Sequence, residues 1–169
     1  MFIAVLAVGK NNELGKNGDM PWGKSLTKDL NFVKELTMNK SLVMGSNTFN
    51  SLPCILKGRK HYVICKDTNV LDSKYSKDDP RIIIISNLDS FIKENESSKE
   101  TFVIFGGASI YEQTLDYCSA IYLTVIDCEF KDADTFLKYS FLNENFKIEV
   151  LANEEENSFK YTRYLYTKK

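Results

Sequence analysis

Five short hydrophobic runs, separated by segments with helical periodicity, constrain the fold of this sequence more than any other feature. The runs cover residues 2–8, 42–45, 62–65, 82–85 and 102–105, and we expect each to be a strand. Nearly continuous hydrophobicity is typical of strands that are covered on both faces, as in parallel sheets. Helices are expected at about residues 26–38, 47–51, 87–95 and 108–117. This alternation predicts an α/β fold with a central, mostly parallel twisted sheet flanked by helices.

The end of the chain follows a different pattern. A sixth strand is expected at residues 121–127, followed by strand-like segments at 147–151 and 159–166. The acidic connection 154–158 is too short for a crossover helix, so we expect an antiparallel C-terminal hairpin with a solvated turn. Residues 66–80 are polar and irregular, which indicates a surface excursion. A length of 169 residues favours a single domain over 1–169.

Composition and charge argue against several classes of protein. The net charge of −1 gives no electrostatic basis for binding nucleic acid. No apolar stretch is long enough to span a membrane, and the first eight residues are interpreted as a strand and not a signal peptide. Four widely spaced cysteines (54, 65, 118 and 128) and a single histidine argue against a metal site. We therefore expect reduced thiols, a cytoplasmic location, and His61 as a partly exposed strand residue.

Asp29 is the first candidate functional residue. Leu26, Leu30, Val33 and Leu36 recur at helical spacing and are expected to form the inward stripe of the first helix, and Asp29 shares that side. A buried carboxylate is costly unless it is paired, capped or used. The structural alternative is a first-turn acid that is stabilised by the helix dipole.

A glycine-punctuated loop, residues 9–19, separates the first strand from Met20, Pro21 and Trp22. Loops at the carboxyl ends of parallel strands commonly form ligand crevices, and long ones often act as lids. The alternative is that Met20 and Trp22 plug the base of the loop.

Two further motifs suggest ligand contacts. Gly106 and Gly107 lie between a predicted buried strand and a helix, where they would let a ligand approach the backbone. The pattern is not G-x-G-x-x-G, so a simple tight turn is the alternative. Arg59 belongs to the basic segment 57–60, and its planar fork suits a carboxylate, although a solvated surface patch would have the same composition.

These motifs, in this order, resemble the dihydrofolate reductase family over essentially the whole chain. The matching segments are 14–15, 20–22, 29–30, 43–45 with 48–49, 56–59, 106–107 with 110–112, and 122–124. The resemblance implies a dihydrofolate reductase-like domain that uses NADPH to reduce 7,8-dihydrofolate to 5,6,7,8-tetrahydrofolate. It also implies a role in one-carbon and thymidylate metabolism and binding of antifolate-type small molecules.

The resemblance also implies roles for individual residues. Asp29 would hold the pterin together with Thr124, Tyr111 would lie near the site of hydride transfer, and Met20 and Trp22 would belong to a mobile loop that closes over nicotinamide. The implied substrate-binding residues are Ile3, Ala4, Val5, Asp29, Leu30, Val33, Leu52, Leu56, Arg59 and Thr124. The implied cofactor-binding residues are Ala7, Leu14, Gly15, Gly45, Ser46, Asn47, Thr48, Ile64, Cys65, Lys66, Phe105, Gly106, Gly107, Ala108, Ser109, Ile110 and Tyr111. A cis peptide between Gly106 and Gly107 is also implied, and a water near Met20 is the expected proton donor.

Some positions depart from the family pattern. Ser46 and Ser109 stand where many members carry basic residues that bind the cofactor's phosphates, and Lys66 could compensate in part. We therefore expect NADPH to be preferred by a reduced margin. Val33 replaces a common phenylalanine and leaves more room beside the pterin. The alternatives are a riboflavin-pathway pyrimidine reductase of related fold and a non-catalytic nucleotide-binding module; a monomer is expected.

Overall fold

The computed structural model describes residues 1–142 and 144–169. The strands, in chain order, are β1 (Phe2–Val8), β2 (Glu13–Gly15), β3 (Ser41–Gly45), β4 (Lys60–Ile64), β5 (Ile82–Ile85), β6 (Phe102–Gly106), β7 (Ala120–Ile126), β8 (Thr135–Phe136), β9 (Phe146–Glu156) and β10 (Phe159–Lys168). The helices are α1 (Thr27–Thr37), α2 (Ser46–Ser51), α3 (Leu88–Asn95) and α4 (Ala108–Thr114), with 3-10 turns at Thr68–Val70 and Leu115–Tyr117.

Eight strands form one sheet in the order β5-β4-β3-β6-β1-β7-β10-β9. The pairs from β5 to β7 are parallel, and β10 is antiparallel to both β7 and β9. The predicted α/β class and the antiparallel C-terminal hairpin are therefore confirmed. Because the six parallel strands run in the same direction, the ends of β1, β3, β4 and β6 share one edge of the sheet, where the loops can meet. Apolar side chains pack on both faces, as the hydrophobic runs predicted.

The hairpin differs from expectation at its tip. Glu154, Glu155 and Glu156 belong to β9, so the predicted solvated acidic turn is wrong. The turn consists of Asn157 and Ser158, whose φ angles of 48° and 68° are those of a tight hairpin turn. The carboxylate of Glu156 accepts hydrogen bonds from the Thr27 hydroxyl and the Lys28 backbone N–H. Glu156, which the acidic composition had placed in a turn, therefore caps the start of α1.

His61 is fully buried, which contradicts the prediction of a partly exposed strand residue. It lies on β4, and that strand is enclosed between β3 and β5. Its Nε2 accepts a hydrogen bond of 3.2 Å from the backbone N–H of Leu56. Burial lowers the pKa of His61, and the positive charges of Arg59 and Arg81 act in the same direction.

Helix α1 presents its inward face slightly differently from the predicted stripe. Leu26, just before the helix, and Asp29 are buried, whereas Leu30 is 37% exposed. Val33 and Leu36 are half-buried. The buried face of α1 is therefore displaced from Leu30 toward Asp29, and Leu30 is not part of the inward stripe.

Two short strands were not predicted. β2 and β8 pair with each other in a separate two-stranded sheet. Two or three residues are too few to show an alternating pattern, and this pairing joins segments about 120 residues apart. The expected excursion 66–80 contains one 3-10 turn, Thr68–Val70, and is otherwise irregular. Among the described residues, no helix has the length and apolarity needed to cross a bilayer.

Candidate active site

The glycine turn after β6 places closely packed backbone at the carboxyl edge of the sheet. The peptide between Gly106 and Gly107 is cis, as predicted. Gly106 has a φ of +115°, and a Cβ there would lie 3.3 Å from Tyr111 Cε2 and 3.4 Å from Thr48 Oγ1. On Gly107 a Cβ would lie 3.5 Å from the same Thr48 hydroxyl oxygen. The turn therefore has a specific reason to be glycine: it holds bare backbone against Thr48.

Gly45 and Ile110 complete this group. A Cβ on Gly45, at the end of β3, would lie 3.4 Å from Ile110 Cγ1. The structure therefore brings together five predicted cofactor-binding residues from two segments of the chain, 45–48 and 106–110: Gly45, Thr48, Gly106, Gly107 and Ile110. This glycine-lined edge has the bare backbone and the hydroxyl group that a phosphate-bearing cofactor requires.

Tyr111 connects this edge to the centre of the sheet. It is buried on α4, and its phenol donates a hydrogen bond of 2.7 Å to the carbonyl oxygen of Val5 on β1. Burial raises the pKa of Tyr111 well above its usual value. The phenol is therefore a fixed neutral donor that holds α4 against β1.

Asp29 lies in the first turn of α1 and points toward β7 and β10. It is 7% exposed, and its Oδ1 accepts a hydrogen bond of 2.8 Å from Thr124 Oγ1 on β7. The predicted pairing of Asp29 with Thr124 is therefore present. The first-turn alternative is insufficient, because the carboxylate is bound by side chains of the sheet.

Arg163 on β10 is a partner of Asp29 that the sequence reasoning missed. One guanidinium nitrogen donates to Asp29 Oδ1 at 2.7 Å, and the two side chains form a buried ion pair. The guanidinium carbon lies 3.9 Å from the centre of the Phe32 ring. The sequence did indicate where Arg163 lies on its strand. Phe159, Tyr161 and Arg163 occupy alternate positions along β10, which places all three on one face of the strand.

The apolar side of the predicted substrate pocket is assembled as expected, with two exceptions. Ile3 and Val5 pack in the same cluster as Val33, Leu52 and Leu56. Ala4 belongs to the cluster on the opposite face of the sheet, because neighbouring residues of a strand point in opposite directions. Leu30, exposed on α1, is outside both buried clusters.

Arg59 is held in a fixed position beside this pocket. It is 9% exposed; its Nε donates to the carbonyl oxygen of Lys57 at 3.0 Å, and one terminal nitrogen donates to Thr37 Oγ1 at 3.2 Å. Burial lowers the pKa of Arg59, and the nearby Cys54 thiol opposes that shift. Within the described part of the chain, no carboxylate forms an ion pair with Arg59. The alternative of a solvated surface patch is wrong for this residue, since its guanidinium is buried.

The predicted loop is attached to the segment around β8. Glu13 is almost fully buried, and its carboxylate accepts from the backbone N–H groups of Asn11 at 2.8 Å and Phe130 at 3.2 Å. The Asp134 carboxylate accepts from the backbone N–H of Asn17 at 2.7 Å. Trp22 is buried against Phe130, with ring centres 5.5 Å apart. Glu13 and Asp134 were missed because their partners are distant in sequence or belong to the backbone.

The outer positions of the predicted cofactor site are occupied by small or exposed side chains. Ser46 and Asn47 begin α2, and Lys66 is exposed just after β4. Ser109 is exposed, and its hydroxyl accepts a hydrogen bond of 2.9 Å from Gln113 Nε2. The thiol of Cys65 donates to the carbonyl oxygen of Asp67.

No group of three or more potential metal ligands occurs among the described residues.

Comparison with known proteins settles the family. A family model described as dihydrofolate reductase matches residues 1–168. This chain belongs to the dihydrofolate reductase family. Its members are NADPH-dependent oxidoreductases, so the predicted family, enzyme class and cofactor are confirmed.

Individual relatives in this family match almost the whole chain. Dihydrofolate reductase of Mycoplasma genitalium is 30% identical over 158 residues, covering 93% of this chain and 94% of the relative. The Bacillus subtilis enzyme is 30% identical over 172 residues, covering 100% of this chain and 95% of the relative. The solved structure of dihydrofolate reductase from Enterococcus faecalis, complexed with NADP(H) and RAB-propyl, has a TM-score of 0.78 at 23% identity. It covers 99% of this chain and 96% of that chain.

Proposed function

We propose that this protein reduces 7,8-dihydrofolate to tetrahydrofolate, with Asp29 as the anchor of the pterin ring. The observation that supports this most directly is the buried Asp29 carboxylate, which is fixed by Thr124 at 2.8 Å beside the apolar pocket. A pterin presents an exocyclic amino group and a ring N–H on one edge, and a carboxylate can accept from both. Burial in a site of low dielectric constant strengthens these hydrogen bonds.

When bound, NADPH would supply the hydride that reduces the pterin at C6. The residues around Gly106 fit this cofactor, because bare backbone at Gly106 and Gly107 lies against the Thr48 hydroxyl. Ala7, Leu14 and Gly15 would border the nicotinamide, and Ile64, Cys65, Phe105 and Ala108 the rest of the cofactor. Tyr111 positions α4 against β1 and is too firmly hydrogen-bonded and too weakly acidic to supply a proton.

The proton on N5 is proposed to come from water. His61 is the single histidine of the chain, and it is buried against the Leu56 backbone, so it does not act as an acid. Asp29 would contact the opposite edge of the pterin from N5. A water admitted beside Met20 would therefore protonate N5, while Asp29 holds and polarises the ring.

The glutamate tail of the substrate would bind Arg59. Its guanidinium is already oriented by Lys57 and Thr37, so little conformational entropy is lost when a carboxylate binds the remaining N–H groups. Ile3, Val5, Leu52 and Leu56 would surround the pterin and benzoyl groups. We further propose that the enzyme is cytoplasmic and that it is a monomer. A measurement of its mass in solution would test the monomeric state.

The preference for NADPH over NADH is predicted to be small. Ser46 and Ser109 offer hydroxyl groups where a cationic side chain could bind phosphate, and Lys66 is the one basic residue of the three. A hydrogen bond to a charged group contributes about 1.5–3 kcal/mol. We expect Ser46→Arg to raise the ratio of kcat/KM for NADPH to that for NADH by about tenfold. Equal efficiencies with both cofactors in the wild type would refute the preference for NADPH.

A single assay separates the reductase from the two alternatives. Purified protein is mixed with NADPH, and absorbance at the reduced nicotinamide band is followed after addition of dihydrofolate or of a ribosylamino-pyrimidine. We expect loss of absorbance with dihydrofolate but not with the pyrimidine. A diaminopyrimidine antifolate should inhibit the reaction with dihydrofolate. Oxidation with the pyrimidine alone would support the riboflavin-pathway reductase, whereas binding of NADPH without oxidation by either compound would support a non-catalytic module.

A further inference from the structure

The proposed pterin site contains a cation that the reaction scheme does not use. Arg163 is 7% exposed, and its guanidinium donates to Asp29 Oδ1 at 2.7 Å. Thr124 donates to the same oxygen at 2.8 Å. Across residues 1–142 and 144–169, the side-chain donors to Asp29 are Thr124 and Arg163, and both are bonded to Oδ1 and not to Oδ2. The buried Nε of Arg163 has no hydrogen-bond partner.

These contacts leave the two oxygens of Asp29 unequal. An ionised carboxylate has about four lone-pair positions, and two of those on Oδ1 are taken by Thr124 and Arg163. A ligand therefore meets an Oδ2 that is open and an Oδ1 that is largely satisfied. The charge of the carboxylate is also already balanced by a guanidinium in direct contact, so the pair has no net charge.

Arg163 is well fixed in this position. Its guanidinium carbon lies 3.9 Å from the centre of the Phe32 ring on α1, and Phe32 in turn packs against Tyr122 on β7, with ring centres 5.9 Å apart. A cation held over an aromatic face and beside a carboxylate is favourable in a buried site. Because two contacts hold the guanidinium, it does not readily withdraw when a ligand arrives.

Two other ionisable groups lie near Asp29, and neither of them is a cation. Tyr161, on β10, has its pKa raised to about 12, mainly by burial and then by Glu156 and Asp29, so the phenol is neutral. Glu156 lies farther along, with its carboxylate bonded at the start of α1 and to the Tyr161 hydroxyl. Arg163 is thus the cation that sets the charge balance of the carboxylate.

We propose that Arg163 is a specificity-determining residue because its charge balances that of Asp29. The site then favours a ligand whose pterin edge is uncharged over a ligand whose ring must be protonated in order to bind. This inference rests on the proposed function of Asp29 as the pterin anchor. A 2-amino-4-oxo pteridine presents neutral donors to the carboxylate. The matching 2,4-diamino compound is a stronger base, and an unbalanced carboxylate would bind it as a cation with a proton taken from the buffer. Arg163 reduces that advantage, because the cation approaches a pair that is already neutral.

The test uses a matched pair of ligands, 2,4-diamino-6,7-dimethylpteridine and its 2-amino-4-oxo counterpart. Dissociation constants are measured for wild type, Arg163→Met and Arg163→Lys with NADPH present. Arg81→Met is the control, since it removes an equal charge from an exposed ion pair with Asp79. We expect Arg163→Met to strengthen binding of the diamino compound about tenfold relative to the oxo compound. Arg163→Lys should stay close to wild type, and Arg81→Met should have no effect.

Proton uptake provides a second readout that a purely structural role would not change. Calorimetry of the diamino compound in buffers of different ionisation enthalpy gives the number of protons bound, at a pH where the free compound is neutral. Wild type should take up much less than one proton per ligand, and Arg163→Met should take up close to one. This measurement on wild type stands even if Arg163→Met does not fold: uptake of a full proton by the wild type would overturn the inference.

Failure of the inference is distinct from failure of the proposed function. If wild type reduces dihydrofolate but Arg163→Met leaves the ratio of affinities within about threefold of wild type, Arg163 does not determine specificity. If wild type neither reduces dihydrofolate nor binds either pteridine, the proposed function is wrong and the role of Arg163 falls with it.

Discussion

At the scale of single residues, Asp29 and Arg59 are two buried charged side chains beside the proposed substrate pocket, and they are held differently. Asp29 has a charged partner, Arg163, whereas Arg59 is bonded to the Lys57 carbonyl and the Thr37 hydroxyl. Both kinds of contact orient the side chain before a ligand binds. The difference is that Arg59 keeps its full charge available to an incoming carboxylate.

Replacement of Arg59 by Met should weaken substrate binding. We expect KM for dihydrofolate to rise by about tenfold or more, because a charge-assisted hydrogen bond is lost, with a much smaller change in kcat. The matched control is a dihydropterin without the benzoylglutamate tail, which cannot reach Arg59. An equal loss with both substrates would mean that Arg59 supports the fold and does not bind the tail.

His61 should make the stability of the protein depend on pH below the ordinary pKa of histidine. The unfolded chain has an ordinary histidine pKa of about 6.5, and burial lowers that pKa in the folded state. Between the two values the unfolded state binds more protons, so stability is fully present above the unfolded pKa and is lost as pH falls toward the folded one. We expect the urea midpoint of wild type to drop on acidification through this window. His61→Asn should abolish that slope, since His61 is the only histidine; an unchanged slope would assign the pH dependence to other groups.

At the scale of elements, the loop before α1 is attached to the segment before β8 through Glu13. This carboxylate is buried and accepts backbone N–H groups from both segments, at Asn11 and Phe130. It also fills the space above Gly9, where a Cβ would collide with Glu13 Oε2. The loop that would cover nicotinamide is therefore fixed at its base, and movement is expected nearer to Met20.

Replacement of Glu13 by Gln should loosen this attachment. An amide offers only one acceptor oxygen, so one of the two N–H groups loses its partner, at a cost of about 1–3 kcal/mol. We expect a lower unfolding midpoint and faster proteolysis within residues 9–19. Glu129→Gln is the control, because it makes the same chemical change on an exposed neighbour of Phe130. Identical behaviour of the two variants would contradict the role of Glu13.

The elements also indicate how far the sequence could predict the structure. Strands β1 and β5 were predicted with their observed bounds, since hydrophobic runs mark strands that are buried on both faces. β9 was predicted too short, because its acidic end resembles a turn while Glu156 in fact caps α1. His61 was misplaced because its burial depends on the strands on either side, which local composition does not reveal.

At the scale of the whole molecule, the folded chain brings most of the predicted site residues together. The sequence did not predict the contacts between residues that are far apart in the chain. Asp29 was identified from its helix, but its bond to Arg163 joins residues 134 positions apart. The glycine turn and Thr48 come from different crossovers and meet because the parallel strands end at one edge. Such proximity follows from topology, whereas the choice of a particular charged partner depends on side-chain packing that sequence periodicity does not specify.

The central claim is that Asp29 anchors the pterin and makes reduction possible. The most direct test is the turnover of Asp29→Asn with dihydrofolate and NADPH at neutral pH, compared with wild type. The asparagine keeps the shape of the side chain and removes the charge that pairs with the substrate. We expect turnover to fall by about a hundredfold or more, on the scale of acid–base contributions to catalysis. Turnover close to that of wild type would contradict the account.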